Sequence, residues 1–282
     1  MTALDPHRWN ARLSLSFARR GPRTALARNE HQGPLVVQKA LYPEGDAVCQ
    51  GIILHPPGGI AGGDHLSIDI DVAIDARAQL TTPGATKWYK ANGRTASQAV
   101  RIDVHDGAVA EWFPLESIVF DGAVASSTLE VDAHGSAAAA GWDITAFGRA
   151  AAGERYERGC YRQAIELRRN GKLVWAETGA IGGNDPLFES PAGFDGNSVS
   201  GLLWAMLPHD VVEATIERCR DVPDAATGSL LHGVTSLPDG IVLARCLARS
   251  TEHARAYLAH VWSSLRPVYA SREAVAPRLW MT

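Results

Sequence analysis

From Leu35 to Arg249 the chain is a succession of short segments in which apolar and polar residues alternate, each ended by Gly, Pro, Asn or Asp. A period of two puts successive side chains on opposite faces of an extended backbone, so this pattern builds strands and turns. It predicts an all-β protein of many short strands. Val100, Ile102 and Val104 lead into Asp106-Gly107, after which Val109 and Glu111 to Phe113 resume; the pattern predicts a hairpin there. Ile165 and Leu167 lead into Asn170-Gly171, a pair suited to the positive φ values of a type I′ turn, and Leu173 to Trp175 return. A third hairpin is expected at Pro238-Asp239-Gly240, joining Leu230–Thr235 to Ile241–Cys246.

About two helices are expected, both in the C-terminal half. Ser250 is placed to cap a helix in which Ala254, Tyr257, Leu258, Val261, Trp262 and Leu265 share one face, with Pro267 closing it. A weaker helix is expected over Asp210–Cys219, with Val212, Ile216 and Cys219 apolar on one side. The aperiodic, Gly-rich stretch from Ile181 to Asn197 reads as a long loop suited to partner contact or mobility. No repeat of fixed period emerges, so a sandwich, a barrel and an irregular β-helix all fit.

A net charge of −4, with Lys and Arg scattered, gives no footprint for nucleic acid. Cys49, Cys160, Cys219 and Cys246 form no C-x-x-C pair and read as reduced structural thiols. Met1 to Arg20 lacks an apolar signal core, and no apolar run is long enough to span a bilayer, so a cytoplasmic protein with no membrane partner is expected. The reading is of one unit over residues 1–282.

The most unusual stretch is His55-Pro56-Pro57-Gly58-Gly59-Ile60-Ala61-Gly62-Gly63-Asp64-His65. Four glycines and two prolines specify an irregular backbone. It is no phosphate-binding loop, because Asp64 stands where a P-loop needs Lys and would repel phosphate. His55, Asp64 and His65 could contact a divalent metal, yet their spacing matches no ligand motif. The alternative is that His55 ends a strand, Asp64 accepts from backbone N–H groups of the loop and His65 is solvated. Thr81 to Tyr89 reads as a sheet corner, and no G-x-S-x-G elbow occurs. Glu111, Asp143 and Glu177 lie on predicted strands. Pointing inward they would line an interior path, which burial tolerates only if it is wet or paired; pointing outward they would be solvated.

Taken in order, several blocks closely resemble the UreD (UreH) family of urease accessory proteins. They are Val36 to Lys39 with Tyr42 to Glu44, His55 to Asp64, Thr82 to Tyr89 (with Pro83, Gly84, Lys87 and Tyr89), Glu111 to Pro114 with Ile118 to Ala123, Gly148-Arg149 with Gly153-Glu154, and Pro277 to Thr282. The resemblance implies a β-helical fold of many strands with about two helices. It implies a scaffold without catalytic residues that binds apo-urease and UreF, with the GTPase UreG joining through UreF. No tightly bound cofactor is implied, only transient nickel(II) passing through an internal tunnel. By the same resemblance Asp64 looks like a tunnel-associated acid, and Asp143 and Glu177 occupy plausible counterparts. A β-fold metal-dependent hydrolase using His55, Asp64 and His65, and an adaptor that never touches nickel, stand as alternatives.

Overall fold

Most strands pair not with their neighbours in sequence but with the strand one turn of a coil away. A computed structural model describes residues 9–222 and 230–281. Thr282 of the last matching block and the first eight residues of the N-terminal segment lie outside them. Eighteen strands follow in order among the described residues: β1 (Asn10–Arg20), β2 (Arg23–Gln32), β3 (Val36–Leu41), β4 (Cys49–Leu54), β5 (Gly59–Ile60), β6 (His65–Val72), β7 (Arg77–Thr81), β8 (Thr86–Trp88), β9 (Ala96–Val104), β10 (Val109–Phe113), β11 (Ser117–Val119), β12 (Val124–Ala133), β13 (Ala138–Phe147), β14 (Cys160–Arg169), β15 (Lys172–Gly182), β16 (Val199–Met206), β17 (Leu231–Leu237) and β18 (Ile241–Ala248). Two helices, α1 (Glu213–Arg220) and α2 (Thr251–Ala270), complete the described elements longer than a single turn.

The strands form a solenoid with three faces. The first is a sheet ordered β15-β14-β12-β9-β6-β1-β2, the second a sheet ordered β17-β18-β16-β13-β10-β7-β4-β3, and β5, β8 and β11 make a narrow third face. The chain visits the faces in turn, β6 to β7 to β8, then β9 to β10 to β11, then β12 to β13, and within these coils strands on the same face run parallel, whereas β3 and β16 to β18 join the second sheet antiparallel. Antiparallel strands close both ends of the first sheet, β2 against β1 and β15 against β14. This is the β-helical arrangement that the family resemblance implies, and the many short strands and two helices are those read from the sequence pattern. Successive register partners on the first face are His65, Ser97, Ser126 and Arg162, so the coils are unequal in length and show no fixed repeat.

The turn at Asp106-Gly107 does not make a hairpin. It is a corner that carries β9 on the first face into β10 on the second, where β10 pairs with β7 and β13. The Asp-Gly pair supplies a tight turn with Gly107 at φ 69° in either case; which strands pair is decided by the coils above and below. Asn170-Gly171 and Pro238-Asp239-Gly240 do turn hairpins, β14 onto β15 and β17 onto β18. Asn170 and Gly171 both have positive φ, as a type I′ turn requires. The stretch from Ile181 to Asn197 is packed: β15 runs to Gly182, and Phe188 and Phe194 contact the Phe147 ring at centroid distances of 5.4 and 5.5 Å.

Two cores flank the second sheet. One fills the solenoid interior with Leu13, Phe17, Ile70, Leu80, Trp88 and Val131. The other lies between the sheet and α2, whose buried Tyr257, Leu258, Val261, Trp262 and Leu265 are the expected apolar stripe. Ser250 caps α2 through Oγ, which accepts from the Glu252 N–H. The helix does not stop at Pro267 but continues to Ala270. Proline removes one backbone N–H, and the turn beyond it is held by tertiary bonds: the Tyr269 hydroxyl donates to Glu111 at 2.6 Å and Arg77 donates to the Ala270 carbonyl at 2.5 Å. α1 begins at Glu213 rather than Asp210, leaving Val212 exposed in the N-cap position while Ile216 and Cys219 are buried.

Candidate functional site: a motif-bearing face and a polar seam

Four of the segments singled out in the sequence, His55 to Asp64, Thr82 to Tyr89, Ile118 to Ala123 and Gly148 to Glu154, are far apart along the chain and meet at the third face. Gly59 lies opposite Lys87 and Ile60 opposite Trp88, so the two Gly- and Pro-rich blocks are adjacent parallel strands. Lys87 and Trp88 in turn face Ile118 and Val119, and the Arg149 guanidinium lies 4.4 Å from the centre of the Phe120 ring. The Glu154 carboxylate accepts from Arg149 Nε and from the Asp121 N–H, tying the last of these blocks to the one before it.

Close approach explains the glycines here. A Cβ on Gly59 would meet Tyr89 Cζ at 2.6 Å and the Lys87 carbonyl at 2.9 Å; one on Gly62 would meet the Arg94 carbonyl at 2.9 Å. Gly58 and Gly63 have φ of 73° and 100°. The Tyr89 ring also packs edge-on against Phe120, at 5.3 Å between centroids, so it has little room to retreat. Gly59→Ala is therefore expected to lower stability by about 1–3 kcal/mol through overpacking. A urea denaturation curve within a few tenths of wild type would contradict the close approach.

Asp64 is buried and its carboxylate holds the loop. Oδ1 accepts from the Trp9 N–H at 3.1 Å and Oδ2 from the Ala61 N–H at 2.9 Å. The next residue, His65, contacts Ser97 Oγ through Nδ1 at 2.5 Å. His55, Asp64 and His65 do not appear among the described groups whose ligand atoms lie close enough to share an ion. Burial lowers the His55 imidazole below its ordinary value and favours its neutral form, and its buried Nε2 has no hydrogen-bond partner among the described residues. His55, Pro56, Gly58, Gly59, Pro83 and Gly84 line a cavity of about 290 Å³ between the two glycine-rich turns, while Pro57 stays on its exposed shoulder.

This cavity shares Thr86, Gln98, Trp112 and Pro114 with a smaller one of about 30 Å³ deeper in the solenoid, enough for one or two waters. The deeper cavity is lined by two polar ladders set by the coil register. Gln98, Ser127 and Gln163 are consecutive partners on the first face, and Thr86 and Ser117 are partners on the third, continuing to Thr145 on β13. Asp143 projects between them from the second sheet and accepts from Thr145 Oγ1 at 2.7 Å. No cation pairs with Asp143 among the described residues, and burial raises its pKa above the ordinary carboxylate range.

Because that pKa is raised in the folded chain, the unfolded state releases the proton at lower pH and the native state is penalised as pH rises through the interval. Asp143→Asn removes the penalty. The variant is expected to be more stable than wild type at neutral pH, with the gain fading as pH falls toward the unfolded value of about 3.9. Thermal midpoints across that range check it; a gain that grows on acidification would contradict it.

The other two acids lie elsewhere. Glu177 is the cross-strand partner of Ile165, on the inward side of the end strand β15, half exposed and ion-paired with Arg245 of β18. The pair spans the two sheets at the rim of the last coil. Glu111 is buried, but on the opposite face of the second sheet, under α2. Gln98, Ser127 and Gln163 escaped the sequence reading, since only the register of unequal coils brings them into one line.

The sequence as a whole matches the family model described as UreD urease accessory protein, over residues 10–281. The chain belongs to the UreD family. It is similar to a urease accessory protein UreD of Dechloromonas aromatica, 49% identical over 276 residues that cover 97% of this chain and 95% of the relative. A UreD of an Azoarcus species is 47% identical, covering 97% and 94%, and one of Pseudomonas savastanoi pv. phaseolicola is 46% identical, covering 100% and 98%. The UreD match thus takes in the motif-bearing face, the seam and α2 together. No described helix is long and apolar enough to cross a membrane.

Proposed function

We propose that the chain acts in urease maturation as a non-catalytic scaffold that binds apo-urease and, with UreF and the GTPase UreG, serves GTP-dependent nickel insertion, the metal crossing this protein along its polar seam. Family membership supports the maturation role. The observation that carries the route is the placement of Asp143: a part-buried carboxylate lining the inner cavity, with no countercation among the described residues, set among stacked Gln, Ser and Thr side chains. A divalent ion arriving there replaces a proton and meets oxygen ligands only, which suits brief residence because conduction needs sites weak enough to leave.

In this reading the glycine-rich cavity beside His55 is the mouth and the Glu177–Arg245 pair marks the opposite rim. Asp64, Asp143 and Glu177 are transient contacts, and Asp64 also holds the loop that shapes the mouth. Nickel is cargo throughout. The test is reconstitution from purified apo-urease, UreF, UreG, GTP and nickel, with and without this chain. Urease is expected to gain nickel and activity only when the chain is present; equal loading in its absence would overturn the reading.

A further inference from the structure

On the outer face of the first sheet, far from the seam, one row of cross-strand partners departs from the rule its neighbour follows. Asp69, Arg101 and Glu130 are consecutive partners and alternate in sign, with Arg101 paired to Glu130 at 3.1 Å. Two residues along, the partners are Asp71, Asp103 and Asp132, all carboxylates. Like charges directly opposite one another destabilise a sheet, so this row needs a countercharge.

Its ends are supplied. Asp71 accepts from Ser16 Oγ at 3.2 Å and contacts His105 Nε2 at 2.8 Å, and Asp132 Oδ1 accepts from the Gly171 N–H at 3.0 Å. Arg168, opposite Asp132, is engaged by Glu166 at 2.6 Å. In the middle, Asp103 has only His134 at ion-pair distance among the described residues. His134 Nε2 lies 4.0 Å from Asp103 Oδ1 and 3.8 Å from Asp132 Oδ2, too far for hydrogen bonds to either. The like charge of Asp132 contributes to a raised Asp103 pKa, after burial.

We propose that Asp103, Asp132 and His134 bind one divalent transition-metal ion on the outer surface of the solenoid. Their ligand atoms all lie within 4.8 Å of one another, and the His134 ring is stacked on His105, which limits its swing. Ligands about 2.1 Å from one ion stand roughly 3–3.5 Å apart, so closing the widest gap asks under about 1 Å of movement from each of two side chains, which the part-exposed Asp103 and His134 can supply by rotation. One imidazole with two carboxylates suits nickel or zinc, and the ion would neutralise the unmatched row. The site goes beyond the seam reading and stands or falls separately from it.

The test is nickel(II) titration of the full-length chain by equilibrium dialysis, beside His134→Ala and the double variant Asp103→Asn, Asp132→Asn. The wild type is expected to bind an ion that both variants lose or hold at least tenfold more weakly, while Asp143→Asn keeps it. In histidine-labelled wild-type protein, one equivalent of paramagnetic nickel should broaden the His134 and His105 ring signals first, a readout that does not depend on the variants folding. Unchanged binding in both variants, or broadening that spares these two rings, would overturn the site.

Discussion

Arg266→Ala is expected to cost about 3–5 kcal/mol, among the largest losses available from any single side chain here, because it strands buried acids without their cation. Arg266 is 1% exposed. Its guanidinium bonds both oxygens of Glu44 at 2.7 Å and both oxygens of Glu111, at 2.9 and 3.0 Å. Glu111 also accepts from Trp262 Nε1 at 3.0 Å, the Tyr269 hydroxyl at 2.6 Å and Gln79 Nε2 at 3.1 Å. Every lone pair of Glu111 is therefore used, and α2 is fixed to the second sheet through one carboxylate. Replacing the whole triad with Glu44→Gln, Glu111→Gln and Arg266→Met should cost less than Arg266→Ala alone, since a buried charge left unpaired is worse than none. Urea denaturation of the two proteins decides; equal or reversed losses would show that the network contributes little.

The second large effect is on function. Ser127→Val with Gln163→Met removes two rungs of the polar ladder while changing volume little, so the fold should survive with a loss of about 1–2 kcal/mol. With two of its three rungs gone, the first-face ladder offers a hydrated divalent ion only Gln98, so Asp143 and the Thr86, Ser117 and Thr145 hydroxyls must offset the lost hydration alone. On the proposed route, urease activation supported by this variant is therefore expected to fall at least tenfold in limiting nickel, with the proposed binding of apo-urease and UreF expected to be kept.

The sequence was a good guide wherever one local rule decided the outcome. Asn170-Gly171 allows a tight hairpin and makes one, and the α2 stripe from Ala254 to Leu265 is buried as its period requires. It misled where a local rule was shared by two outcomes. Asp106-Gly107 turns the chain equally well into a hairpin or around a solenoid corner, and only the parallel neighbours β7 and β13 select the corner. Pro267 ends isolated helices, yet Tyr269 and Ala270 are held by bonds to the sheet that no local window contains.

The site divided in the same way. The glycine and proline blocks were legible as a shaped loop, and Asp64 accepts from backbone N–H groups there. Glu111 and Asp143 looked alike, each a carboxylate beside Trp on an alternating strand. They face opposite sides of one sheet, Glu111 toward α2 and Asp143 toward the interior, because both faces of that sheet are buried and alternation no longer separates inside from outside. The seam itself depends on Gln98, Ser127 and Gln163 falling in register across coils of different length, which is a property of the stack.

The nickel content of urease isolated after activation with the Ser127→Val, Gln163→Met variant, in a complex verified to contain urease and UreF, tests the route through this protein most directly. The account predicts an assembled complex and nickel-poor urease. Nickel-replete urease from that same complex would contradict passage along the seam and leave the chain an adaptor that holds its partners together.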